Sequence, residues 1–474
     1  MTSSMHTIST AGSERATSSF GNRIVTVGDK VHVVWQDACE PNPTSGVADA
    51  HYNKPYADYP AQVRSLDLRT GTWSPTVTLG LGQDNHGRPT IAADSSGYLH
   101  VILGGHHTPM HHFKSTAPND SSNWETIETF GKNTYPVFTI APDDTFYLLA
   151  RHDEGWQGTD FYIRRPGGQW QAQGLLVQRE PEHVGYCAFA AGMAVGHDGV
   201  LHLVSDFYES KGIYDQRGLK QAVATMRSCD GGRSWQRADG TPVQIPARPE
   251  DMDLLELFRT EKEHEPIPSV LSQGCIGVDS HGVPHVYYLS HIRVPGEMIL
   301  TSPDAAGTWQ KRVIDPTATG FPDHRAKGEC RGRFIVTPED QMHLILSLYS
   351  LGDIFWEDGR PAEKVKWFDE PTPVVKLTSS DLGSTWSARK LEPPREGGPA
   401  EGDQHGAVLH ALPDQESRTP LDLLRWPEPV SGPQRGDQYA GALCRGRSGR
   451  YLISNEGPLM MQPIVLWNLK GEPC

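Results

Sequence analysis

Two short patterns alternate along this chain, and the alternation limits what it can fold into. The first is an apolar strand, a turn rich in Asp and Gly, then a second apolar strand with His or Tyr near its start. It occurs as RIVTVGDKVHVVW, TIAADSSGYLHVIL, FTIAPDDTFYLLA, GMAVGHDGVLHLVS, IGVDSHGVPHVYYL, FIVTPEDQMHLILS and LCRGRSGRYLIS. Its aligned residues are His32, His100, Tyr147, His202, His285, His343 and Tyr451. The second pattern, S-x-D-x-G-x-x-W, is met by SCDGGRSW (228–235) and SSDLGSTW (379–386), with a degenerate copy in SPDAAGTW (302–309). Weaker echoes end at Trp73, Trp124, Trp170 and Trp467, so hairpin and Trp alternate through seven cycles.

Each cycle is long enough for a four-stranded antiparallel sheet. A lone sheet of that kind cannot bury both faces, whereas radially packed copies bury them against each other and leave only short edges. The expected fold class is therefore all-β, a seven-bladed β-propeller of four-stranded antiparallel blades with Asp-box-like turns. The 48 glycines and 37 prolines in 474 residues exceed the usual ~12% for the two and suit a chain of many turns. Residues 1–20, rich in Ser and Thr, are expected to be a flexible N-terminal segment, and 21–474 a single catalytic propeller domain. The segment RPEDMDLLELFRTEKEHEPIP (248–268) suggests a helical insertion, and 352–440 is irregular enough for a helix or long loops. The S-x-D-x-G-x-x-W element resembles the Asp-box turn of sialidase-like propellers, a structural turn away from the active face.

A net charge of −15 repels phosphates, so no nucleic-acid partner is expected, and an anionic substrate would need a local cluster of Arg or His. No apolar run approaches ~18 residues, so no membrane span is expected. The N-terminus lacks the apolar core of a signal peptide, which points to the cytoplasm, or to secretion if a leader has been removed. The seven cysteines are odd in number, without CxxC, and read as reduced thiols, with Cys187, Cys275 and Cys330 in the core. A monomer is expected.

In a propeller the start of a blade's first strand and the end of its second share one face. A hairpin centred on Ser96 places His86 opposite His106, and Arg88 opposite Gly104, whose missing side chain leaves room for a guanidinium. A hairpin centred on Asp143 places Tyr135 opposite Arg151. The His/His and Tyr/Arg pairs are then expected at matching heights, and these residue types suit proton transfer beside an anion. Tyr208, His291, Arg331 and Tyr349 are further rim candidates for binding substrate, and His405 with Asp403 a weaker pair. Within GGHHTPMHHF (104–113), His106 is the catalytic candidate and His107 a substrate-binding candidate, while His111 and His112 are bystanders. The repeat residues His32, His100, His202, His285 and His343 read as packing or turn-bonding groups. No acidic or Cys ligand lies at a typical zinc spacing from the cluster.

NHGRP (85–89), GGHH (104–107), TYP (134–136) and LLAR (148–151) together resemble the BNR-repeat, seven-bladed-propeller polysaccharide lyases, which include ulvan lyases and L-rhamnose-α-1,4-D-glucuronate lyases. The separations of 20 residues in the His pair and 16 in the Tyr/Arg pair are similar to those of ulvan lyases. The short link from His106 to Tyr135 and the lack of an evident signal peptide make the chain more similar to the rhamnose-glucuronate type. The resemblance implies β-elimination at a glucuronate: Arg151, helped by Arg88, neutralises the carboxylate, His106 removes the C5 proton, and Tyr135 protonates the departing O4. His86 orients the pair or helps neutralise the carboxylate, and base and acid are interchangeable at this level. The implied partner is an acidic poly- or oligosaccharide containing glucuronate and rhamnose, at the ends of arabinogalactan side chains. This chemistry requires no cofactor; a divalent cation bridging the carboxylate is compatible with it, with ligands unknown. Rival readings are a sialidase-like glycoside hydrolase, for which no R-I-P segment is found, and a non-catalytic sugar-binding propeller.

Overall fold

The computed structural model describes residues 5–12, 21–37, 59–82, 87–106, 108–152, 157–185, 187–189, 191–211, 220–259, 270–290, 296–326, 333–350 and 373–391. It also describes the short segments 356–357, 360–361, 409–410, 443–446, 449–452, 454–455 and 462–467. Strands dominate them, and the helical elements among them are short 3₁₀ turns such as Pro249–Asp251 and Pro316–Thr319. Among the described residues, seven sheets have four strands or more. The fold class is the expected one: all-β, in antiparallel β-propeller blades. Contacts divide the chain into two compact units, one of Met1–Phe138, Phe368–Val374 and Lys390–Cys474, the other of Thr139–Trp367 and Val375–Arg389.

In the first unit, the strands Ile24–Val27, Lys30–Gln36, Tyr59–Asp67 and Thr72–Trp73 form one blade in sequence order, with Val77–Gly82 also on Tyr59–Asp67. The next blade runs Thr90–Ala93, Leu99–Leu103, Met110–Ser115, Trp124–Phe130. Between the two sheets Val34, Ala61, Val63, Ile91, Val101, Leu103 and Phe113 form a shared core. The second strand of a blade is covered on both faces, which is why LHVIL (99–103) is apolar without alternation and buried throughout. The outermost strand meets solvent, and Trp124–Phe130 is accordingly polar and largely exposed. Met5–Gly12, within the segment expected to be flexible, is a strand paired antiparallel with Gln462–Trp467.

The second unit begins at Thr139, near the end of the strand Asn133–Ile140, and continues through Phe146–His152, Gly158–Arg164 and Gln171–Gln178. Three further blades are built around Leu201–Glu209, Pro284–Ser290 and Met342–Ser350. The helix expected in 248–268 is corrected: Asp253–Arg259 is a strand on Lys220–Ser228, with Gln221 opposite Phe258. Its short run of alternating Leu and acidic residues also fits one turn of helix. Pairing to the edge of an existing sheet decides, because it satisfies the backbone of both strands. Most of 352–440 lies outside the described residues.

The two repeat patterns have the structural roles expected of them. In the hairpin at Asp94, the carboxylate accepts from the backbone of Ser96 and Tyr98 and holds His100 Nε2 at 3.2 Å. Asp279 does the same for His281, Val283 and, at 3.0 Å, His285. Elsewhere the repeat imidazole joins blades: His32 bonds Ser65 Oγ at 2.6 Å and Asn119 Oδ1 at 2.8 Å. Burial pushes His32 and His202 down to about 4, so both are neutral packing groups at pH 7. In the Asp boxes, Asp381 accepts from the side chain and backbone of Thr385 and from Ser379, which hold its carboxyl at about 2. The thiols of Cys187 and Cys275 are buried and free, as expected, and that of Cys229 is exposed and free.

Candidate active site

The second hairpin has the register read from the sequence. Thr90 pairs with Ile102, Ile91 with Val101, Ala92 with His100 and Ala93 with Leu99. The ladder extends past the strands through a 2.7 Å bond from Gly104 N to Gly87 O. This brings Arg88 level with Gly104 and leaves His106 just beyond, 3% exposed. The loop after it is tight: a Cβ on Gly105 would sit 1.9 Å from Thr108 O, so only glycine permits this turn.

One expectation is corrected here. Gly104 leaves room not for the Arg88 guanidinium but for Pro136, whose Cδ would lie 2.6 Å from a Cβ at Gly104. The guanidinium stacks instead on the ring of Tyr135, 4.4 Å from its centroid. Arg88 is 2% exposed and Tyr135 half-buried, so the cation–π contact is largely desolvated. The backbone explains the turn of direction. Arg88 has φ 27° and Tyr135 φ 60°, both in the left-handed region that non-glycine residues rarely adopt. Each stands six residues before the residue that closes its hairpin, Asp94 and Ala141, whose closing bonds to Tyr98 O and Thr145 O match. Tyr135 thus occupies in its blade the place that Arg88 occupies in the one before. Gln273, six before Asp279, has φ 54° at the same place in a third blade.

His86 and His107 lie outside the described residues, as do His291, Arg331, Asp403, His405 and Cys330. The other two histidines of the cluster are not part of the mouth. His111 sits on Met110–Ser115 and bonds Thr129 Oγ1 at 3.0 Å, with burial lowering its pKa. His112 is fully buried, shares a 2.9 Å hydrogen bond with His100, and meets the edge of Phe138. In the second unit, Arg151 is 4% exposed on Phe146–His152, opposite Thr159. Tyr208 is half-buried on Leu201–Glu209, opposite Gln221, and Tyr349 pairs with Arg325.

Sequence reading missed Gln36, the buried last residue of Lys30–Gln36. Its Nε2 would lie 2.9 Å from a Cβ at Gly87, so it abuts the backbone that carries Arg88. The signal was a polar residue closing the apolar run VHVVW. Among the described residues, no group of three or more His, Cys, Asp or Glu is placed to hold a metal ion, and no helix is long and apolar enough to cross a membrane.

The family model described as a BNR repeat-containing family member matches residues 50–316. The chain belongs to that family. Among curated BNR-type relatives, it is 28% identical over 137 residues to an ulvan lyase of Nonlabens ulvanivorans, covering 23% of this chain and 28% of that protein. It is 29% identical over 136 residues to the Ulvan Lyase-PL25 of Pseudoalteromonas sp. (strain PLSV), covering 23% and 27%. The matched stretch therefore spans under a third of the length of either relative. Among solved structures, a PL25 ulvan lyase superposes with a TM-score of 0.64 at 14% identity, over 99% of this chain and 96% of that one. The same figures hold for that lyase bound to -[GlcA(1-4)Rha3S]-. At that identity the likeness is one of fold.

Proposed function

We propose that this protein is a polysaccharide lyase, cleaving by β-elimination the bond from L-rhamnose to O4 of a D-glucuronate and leaving a 4,5-unsaturated glucuronate. The observation that carries the reading is the buried Arg88 guanidinium stacked on Tyr135, beside a backbone ladder whose last bond, from Gly104 N to Gly87 O, lies two residues before His106. Elimination next to a carboxylate needs a fixed cation, an acid and a base, the roles proposed for Arg88, Tyr135 and His106. The likeness to ulvan lyases, one of them bound to a glucuronate–rhamnose chain, supports the same substrate class.

In this mechanism Arg88 holds the uronate carboxylate, so that charge developing at C5 is stabilised without reorganisation. His106 takes the C5 proton, the C5–H electrons form the C4=C5 bond, and the C4–O4 bond breaks. Tyr135 gives its proton to O4, and rhamnose leaves with a free anomeric hydroxyl. His86 is proposed as the residue orienting His106. We place the natural substrate at arabinogalactan side-chain ends. The test is to incubate the protein with gum arabic, ulvan and other glucuronans side by side and follow ultraviolet absorbance. A conjugated product from a rhamnose–glucuronate substrate supports the proposal. New reducing ends without absorbance would mean hydrolysis and refute it.

A further inference from the structure

The third hairpin differs from the second and fifth, and a cavity lies beside it. In two blades the residue closing the inner hairpin is an Asp bonded to the repeat imidazole, Asp94 to His100 and Asp279 to His285. In the third blade both partners change together: the closing residue is Ala141 and the repeat residue is Tyr147. Beside this hairpin lies a cavity of about 400 Å³, lined among others by Ala141, Tyr147, Asp143, Arg165, Asp198 and Arg233, all within the second unit. Tyr147 is 5% exposed, stacked on Phe161 at 6.1 Å, and its hydroxyl makes no hydrogen bond with the described residues. That hydroxyl points to Gly231, where a Cβ would meet it at 3.2 Å. Tyr147 and Arg151 lie four residues apart on one strand, about 13 Å at ~3.3 Å per residue, so the cavity is separate from Arg151.

The Tyr147 hydroxyl, at the end of an otherwise buried ring, is free to donate to or accept from a ligand in the cavity. The surrounding groups narrow down what that is. Arg165 and Arg233 supply donors. Asp143 and Asp198 supply carboxylates that spend bonds on Thr145 and Val200 yet keep spare lone pairs. Three carboxylates with Asp230 disfavour an anion, and two guanidiniums disfavour a cation. A ligand that donates and accepts in equal measure, with no charge, fits both sets. We propose that this cavity is a second carbohydrate site, binding one neutral, hydroxyl-rich sugar unit through Tyr147, Arg165 and Asp198. The volume suits a small ligand of that size.

The test uses the intact chain carrying His106→Ala, so that no probe can be turned over. Methyl glycosides of rhamnose, galactose and arabinose are titrated by calorimetry and by ligand-observed NMR, with free glucuronate and inorganic sulfate alongside. Saturable binding of a neutral glycoside, with Kd on the order of 1 mM, is expected. The double variant Ala141→Asp/Tyr147→His rebuilds the pair found in the second and fifth blades and therefore keeps a folded precedent. It should lose binding at least tenfold, with unchanged thermal unfolding, and Tyr147→Phe should weaken it severalfold. Binding that survives the double variant, binding of the anions alone, or no saturable binding of any neutral glycoside would overturn the proposal. The readout does not depend on catalysis, so its failure and the failure of the lyase reading are separable.

Discussion

Replacing Arg88 by Lys isolates what the planar guanidinium contributes to the mouth. In the native chain its Cζ lies 4.4 Å from the Tyr135 centroid with Arg88 almost fully buried. A desolvated cation–π contact is worth ~2 kcal/mol, and an ammonium neither stacks flat on the ring nor grips a carboxylate with two parallel bonds. If that contact is expressed in the transition state, kcat/KM falls by roughly 30-fold, since ~1.4 kcal/mol is tenfold. Tyr135→Phe keeps the ring under the guanidinium but removes the phenolic proton. It should lower kcat by 10²–10⁴, the range for one general acid, with little change in stability. Arg88→Lys/Tyr135→Phe should then show non-additive losses, because both act on one charge. The assay is the initial rate of ultraviolet absorbance on a rhamnosyl-glucuronate oligosaccharide, with thermal unfolding measured in parallel. Full activity in Tyr135→Phe, or an Arg88→Lys loss wholly explained by unfolding, refutes the reasoning.

Three further outcomes are expected. Gly104→Ala drives a methyl to within 2.6 Å of Pro136 Cδ and should cost ~1–3 kcal/mol of stability in denaturant unfolding, with activity reduced through the displaced Arg88 ladder. His32 and His202 have folded pKa values of about 4, below the ordinary value of 6.5, so the unfolded chain binds more protons between those limits. Their contribution to stability is present above pH 6.5 and is lost as pH falls toward 4. His202→Gln should flatten that part of a Tm-against-pH curve. The Asp-box carboxylate Asp381, held at about 2, makes a contribution that is present above its ordinary pKa of 3.8 and lost toward 2. Asp381→Asn should remove that acid-side dependence at neutral-pH activity close to native.

The repeat was legible because each blade needs the same burial: an inner strand covered on both faces, a turn closed by a short polar side chain, a Trp packed at the outer edge. The register of the second hairpin followed from its turn, since antiparallel partners mirror about a centre. What failed lay beyond the ladder. Period-two alternation predicts facing only while the backbone stays extended, and Arg88 and Tyr135 leave it through positive φ. A non-glycine residue carries no local mark of that conformation, so Gly104 was matched with the wrong neighbour. The strand Asp253–Arg259 was misread because a short Leu/acidic run satisfies both periods, and only an available sheet edge selects one.

The most direct test of the central claim compares the native chain with His106→Ala on a rhamnosyl-glucuronate oligosaccharide, recording ultraviolet absorbance and released rhamnose together. Equal amounts of unsaturated product and free rhamnose from the native protein, and neither from a folded His106→Ala, are the predicted result. Rhamnose released without absorbance, or unsaturated product formed undiminished by His106→Ala, would contradict it.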